Sequence, residues 1–135
     1  MILVPVSPGE LLDKITILAI KRRRMTDAAK RANVEREFAL LEVVRRRDVG
    51  DIEGLEPHVE RLEAVNERLW DVEDRLRELE AAQNFGADFV AFARSVYVLN
   101  DERATIKKAI NRLLGSEIVE EKSYKDYGAN AVRLA

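Results

Sequence analysis

Asn100, Arg103 and Lys107 recur at i, i+3 and i+7, so on a helix they share one face. Arg103 stands between Leu99 and Ile106, at a place in an apolar stripe where a hydrophobic residue is expected. Two chemistries suit a guanidinium there. It can pair with a carboxylate and fix helix register, the available partners being Glu67, Glu63 and Asp13. Alternatively, Arg103 and Lys107, with Asn100 and Asp13 beside them, can grip a phosphate or carboxylate within a bundle. Asp13 and its neighbour Lys14 sit among apolar residues and read as rim residues first, or as partners for this face.

Other chemistry is thinly represented. The single histidine, His58, follows Pro57 at a helix start and is the one imidazole the chain offers as a proton acceptor. No Ser-His-Asp arrangement assembles around it, and a solvent-facing position is the simpler reading. Glu60, Glu63 and Glu67, or Asp71, Glu73 and Asp74, offer oxygen atoms to a hard cation such as Mg²⁺. They are interleaved with Arg61, Arg68, Arg75 and Arg77, which is how a solvated, salt-bridged helix reads. With no Cys, thiolate metal sites and thiol nucleophiles are excluded. The expectation is no catalytic residue, no metal and no cofactor.

Four helices must position these residues. Ser7-Pro8-Gly9-Glu10 opens the first, with Ser at the N-cap, Pro at N1 and Glu at N3 of a capping box. That helix spans about 8–24, with Leu11, Leu12, Ile15, Leu18 and Ala19 on one stripe and Ile17 and Ile20 on another. Thr26-Asp27 caps a second, over about 28–47, with Val34, Phe38, Leu41 and Val44 inward. The stretch 48–54, with two glycines, reads as a loop.

The third helix, about 56–82, carries Leu62, Val65, Leu69, Val72, Leu76 and Leu79 at steps of 3 and 4. Asn84-Phe85-Gly86 ends it, with Gly86 as the natural left-handed residue and Asp88 as a cap for the fourth helix, about 88–114. A short turn between two long rods makes them antiparallel neighbours, so that facing residue numbers add to roughly 170 and Arg103 lies opposite Asn66 and Glu67, near Trp70. Residues 115–135 read as an irregular tail, tacked down by Tyr124 and Tyr127. Ile2-Leu3-Val4 and Glu117-Ile118-Val119 are short β-prone pieces able to pair with each other.

The whole is therefore expected to be an all-α, antiparallel four-helix bundle. A long hairpin of helices three and four dominates it, with short extended segments at both ends and a single domain over 1–135. Composition agrees: 135 residues, 47% hydrophobic and 36% charged, with only 6 Gly and 3 Pro, leave little room for a turn-rich β-sandwich. The net charge of −2 is unevenly spread. Residues 21–47 carry ten Lys/Arg against four Asp/Glu, and 48–82 carry four against twelve. Opposite blocks in succession suggest helices two and three lying side by side with complementary faces, or simply two solvated faces that differ.

The Arg triplets 22–24 and 45–47 end helices, where cations are favoured anyway, and no aromatic residues interleave them. Nucleic acid and membrane surfaces are not expected partners. The most apolar window, Leu11–Ile20, contains Asp13 and Lys14 and is about half a membrane span, and the start lacks a basic targeting region. A cytoplasmic location is expected.

Two resemblances follow. Leu12-Asp13-Lys14-Ile15 with Arg103 and Lys107 is loosely similar to the logic of small all-helical chorismate mutases, which bind a dicarboxylate with Arg and Lys from several helices. The fuller one rests on residues 5–18 (PVSPGELLDKITIL), Leu69-Trp70-Asp71-Val72-Glu73, Asn100-Asp101-Glu102-Arg103 and residues 118–124 (IVEEKSY). Through these phrases the chain resembles, over nearly its full length, a family of small bacterial proteins grouped only as a domain of unknown function. That resemblance implies a stand-alone helical domain and brings no catalytic residues.

Two functions are carried forward. The first is a non-catalytic module that self-associates, most simply as a dimer, or docks a protein partner. Its motivation is the apolar residues outside the main seams: Ile17, Ile20, Ile52, Leu55, Ile2–Val6 and Ile118–Val119. The alternative is a small enzyme or ligand-binding domain for an anionic metabolite, acting through Asp13, Asn100, Arg103 and Lys107.

Overall fold

A computed structural model describes residues 1–128; the part of the expected tail at 129–135 lies outside the described residues. The described residues form an all-α bundle of four helices: α1 (Pro8–Arg24), α2 (Ala28–Asp48), α3 (Leu55–Ala81) and α4 (Ala87–Leu113). Boundaries fall within a residue of those the periodicity and caps predict. No strand occurs among the described residues, so the β-prone ends at 2–4 and 117–119 do not pair with each other.

α1 is the hub. It packs against each of the other three helices, whereas α2 packs on α1 alone. Both stripes of α1 are consequently used, and Leu11, Leu12, Asp13, Ile15, Thr16, Leu18 and Ile20 are all buried. The core joins Leu12 and Ile15 to Val59, Leu62 and Val65 of α3 and to Leu99, Ile106 and Ile110 of α4. α2 buries only Val34; Phe38 packs partly against the core, with the Arg22 guanidinium 4.1 Å above its ring. Of the apolar residues expected at an interface, Ile20 and Leu55 are instead core residues, because α1 is covered on two sides and Leu55 opens α3.

α3 and α4 make the most extensive helix pair, and the register follows the fold-back, with Arg68 3.5 Å from Glu102. The turn itself differs from expectation. Gln83, at φ 53°, is the left-handed residue, while Gly86 is extended at φ −76° and ψ −157°. The Asn84 amide donates to the Leu79 carbonyl and the Gln83 amide to the Glu80 carbonyl, which closes a Schellman motif one residue after Ala82. Hydrogen-bond closure thus places the reversal before the glycine. Gly86 then occupies the N-cap of α4, and Asp88 lies in its first turn rather than at the cap.

The charge blocks also meet differently. α2 does not lie along α3 and reaches it near its own end, where Arg45 Nη2 is 3.3 Å from Glu56 Oε2; the last turn of α1 does most of the pairing. Arg23 reaches Glu63 at 2.8 Å and Glu67 at 3.0 Å, and Arg24 reaches Asp71 at 2.6 Å. α1 ends there, level with Trp70, over whose ring Arg24 sits at 5.6 Å. Beyond that level α3 and α4 form an arm. By the same register the arm spans about 71–99, and its buried residues are Leu79, Ser95 and Leu99.

Candidate functional site

Asp13 is the centre of the polar interior. It lies on the covered face of α1 between Leu12 and Ile15, and its side chain is 2% exposed. Such burial of a carboxylate is costly unless every oxygen is satisfied. Arg103 answers with two bonds, from Nε to Oδ1 at 2.8 Å and from Nη2 to Oδ2 at 2.5 Å. Asn66 of α3 donates from Nδ2 to Asp13 Oδ1 and to Thr16 Oγ1, both at 3.0 Å, and Thr16 donates to the Asp13 carbonyl at 2.8 Å. Asn100 accepts from Arg103 Nη1 at 3.3 Å. One carboxylate therefore ties α1, α3 and α4 together.

The electrostatics follow from this geometry. Burial pushes the Asp13 carboxyl up, but bonds from Arg103 and Asn66 and the charges of Arg103 and Lys107 outweigh it, holding the group below 3.8. The Arg103 guanidinium is correspondingly raised, chiefly by its bond to Asp13. Among the described residues no buried side-chain nitrogen or oxygen lacks a partner.

Lys107 lies one turn further along α4 and serves a second cluster. Its Nζ is 2.6 Å from Glu10 Oε2 and 3.4 Å from Glu120 Oε2. Glu10, which the capping-box spacing assigns to the Ser7 amide, thus directs its carboxylate to α4. Burial lowers the Lys107 ammonium, yet the bond to Glu10 and the charges of Asp13, Glu10 and Glu120 raise it overall. Ser7 accepts from the Glu10 amide at 3.2 Å, as an N-cap should, and donates to Glu120 Oε1 at 2.5 Å. That bond from Ser7 is the leading cause of a lowered Glu120 carboxyl. Gly9 lets the two helices touch: its amide donates to Asn111 Oδ1 at 2.7 Å, and a Cβ there would meet the Lys107 carbonyl at 2.7 Å.

All four candidate anion-site residues are accounted for. Asp13, Asn100 and Arg103 are in one hydrogen-bonded group, and Lys107 adjoins it. Of the three carboxylates open as partners for Arg103, Asp13 takes the place; Glu63 and Glu67 go to Arg23. Lys14 is exposed. Ser7, Asn111 and Glu120 complete the site without having been singled out for it. Asn111 could have been found as a polar neighbour of Ile110 on the seam, but Glu120 lies in irregular chain and carries no periodic signal.

The guanidinium's side fork is committed to Asp13, which leaves its outer edge, with a side chain 29% exposed, facing two hollows. One lies between the helices beside Ile17, Leu69 and Trp70. The other lies between α4 and the tail. His58 contacts Arg61, and among the described residues no three His, Asp or Glu side chains gather as a metal centre requires. No helix is long and apolar enough to cross a membrane among the described residues.

A family model described as a family of unknown function, DUF6165, matches residues 2–131, and the chain belongs to that family. No curated protein and no solved structure matches it.

Proposed function

We propose that this member of the DUF6165 family is a self-associating helical module, and that the α3/α4 arm of one copy packs against the same arm of a second. The observation that carries this reading is the burial pattern. Two helices of 27 residues, each about 40 Å long, continue past the end of α1 and bury Leu79, Ser95 and Leu99 there, against the ten-residue core cluster that gathers around α1. Leu76, Phe89 and Phe92 are partly buried there, short of full burial. Phe85 and Val90 are 49% and 50% exposed. A lone pair of helices has no further layer to bury such a face; a second identical pair supplies it and closes a two-fold four-helix arrangement.

The polar interior supports the same reading. Bidentate pairing of Arg103 with a buried carboxylate is what fixes helix register, a structural role that self-association leaves intact.

Sedimentation or light scattering tests the proposal. At tens of micromolar the expected mass is twice the 15.4 kDa of one chain. Val90→Glu, at an exposed site on the arm, is expected to return the monomer mass with helicity unchanged. A single-chain mass for the unaltered protein across that range contradicts self-association and leaves the arm to a different protein.

A further inference from the structure

After Gly115 the chain turns back along α4 as a strap. Glu120 lies on Lys107 as described, and Glu121 Oε2 approaches Lys108 Nζ at 3.9 Å. Beneath the strap is a cavity of about 180 Å³ whose charged lining is Arg103, Lys107, Lys108 and Lys122 against Glu120 and Glu121. We infer that this cavity is a phosphate site in which Glu120 and Glu121 stand in for the anion, and that binding of a phosphate dianion releases residues 118–121 of the strap.

Charge balance favours a dianion. A phosphate group carries about −1.5 to −2 at neutral pH, the charge of the two carboxylates it would displace, on one compact centre. The cations are held from behind. Arg103 is fixed by Asp13 and Lys107 by Glu10, so both stay in place when the strap leaves. Ser7, itself buried, loses Glu120 as its acceptor on release and has a hydroxyl to donate to a phosphate oxygen. The strap's own hold is weak by comparison. Glu121 is largely exposed, and pairs of that exposure contribute little. Further along, Tyr127 keeps a separate anchor, donating to Asp101 at 2.7 Å and packing edge-on against Tyr97, so release need not detach the whole tail. This inference goes beyond self-association and does not rest on it, since the cavity lies at the far end of α4 from the arm.

The test uses the full chain with inorganic phosphate, against sodium chloride at matched ionic strength and against acetate. Calorimetry is expected to show saturable binding of one phosphate per chain. Nitrogen relaxation is expected to show a loss of order at the amides of residues 118–121 with phosphate alone. Glu120→Gln combined with Glu121→Gln is expected to tighten phosphate binding at least tenfold and to free the strap without it. Lys108→Gln, a surface change that folding should tolerate, is expected to weaken binding several-fold. Responses that track ionic strength, equal responses to acetate, or a double Gln variant that binds no tighter would each overturn the inference.

Discussion

The buried pair of Asp13 and Arg103 decides how three helices meet, and its energetics are those of a charge that cannot be left alone. Arg103→Ala strands a carboxylate that is 2% exposed and is expected to cost about 3–5 kcal/mol in urea unfolding. Asp13→Leu with Arg103→Met, which removes both charges and keeps volume, is expected to recover most of that loss. The pH dependence has a definite sign. Because the folded Asp13 carboxyl lies below its ordinary 3.8, the pair's contribution is full above that value and disappears as pH falls through the lower folded one. Urea midpoints followed from about pH 6 to about pH 2 should therefore fall more steeply in the unaltered protein than in the double variant. Arg103 was legible because a cation interrupts a hydrophobic period. Its partner was not, because three carboxylates were equally available until α1 was placed between α3 and α4.

Helix existence and limits were readable from caps and 3/4 spacing; how helices turn and which ones neighbour each other was not. Glycine marked the α3/α4 reversal as the flexible point, yet the Schellman bonds put the left-handed residue at Gln83. A side chain in that conformation is disfavoured by roughly 1 kcal/mol relative to glycine. Gln83→Gly is therefore expected to stabilise the protein by up to about 1 kcal/mol, less the extra freedom glycine has when unfolded, measured as a rise in the urea midpoint. Charge composition was similarly ambiguous. The basic and acidic blocks are complementary, but adjacency in sequence did not tell that the end of α1, rather than α2, would lie against Glu63, Glu67 and Asp71. Those pairs are partly exposed, so Arg23→Ala is expected to cost less than about 1 kcal/mol and to matter less in high salt.

At the scale of the molecule, coverage is unequal. The half that contains α1 holds the core and the polar network, while the α3/α4 arm beyond Trp70 has one partner where a helix in a bundle has two or more. Composition alone could say that apolar residues exceeded what a small bundle hides. It could not say where, and two of the residues it pointed to, Ile20 and Leu55, lie in the core. The residues left uncovered on the arm, Phe85 and Val90, sit around the turn, outside the 3/4 spacing.

The chain has no cysteine, so a single one can carry a spin label. Ala91 on the arm and Ala32 on α2 are both exposed. With Ala91→Cys labelled, dipolar spectroscopy should give a short, well-defined distance between copies, and with Ala32→Cys a long or absent one. Dipolar coupling that is absent at 91, or stronger at 32 than at 91, would show that the arms do not cover one another.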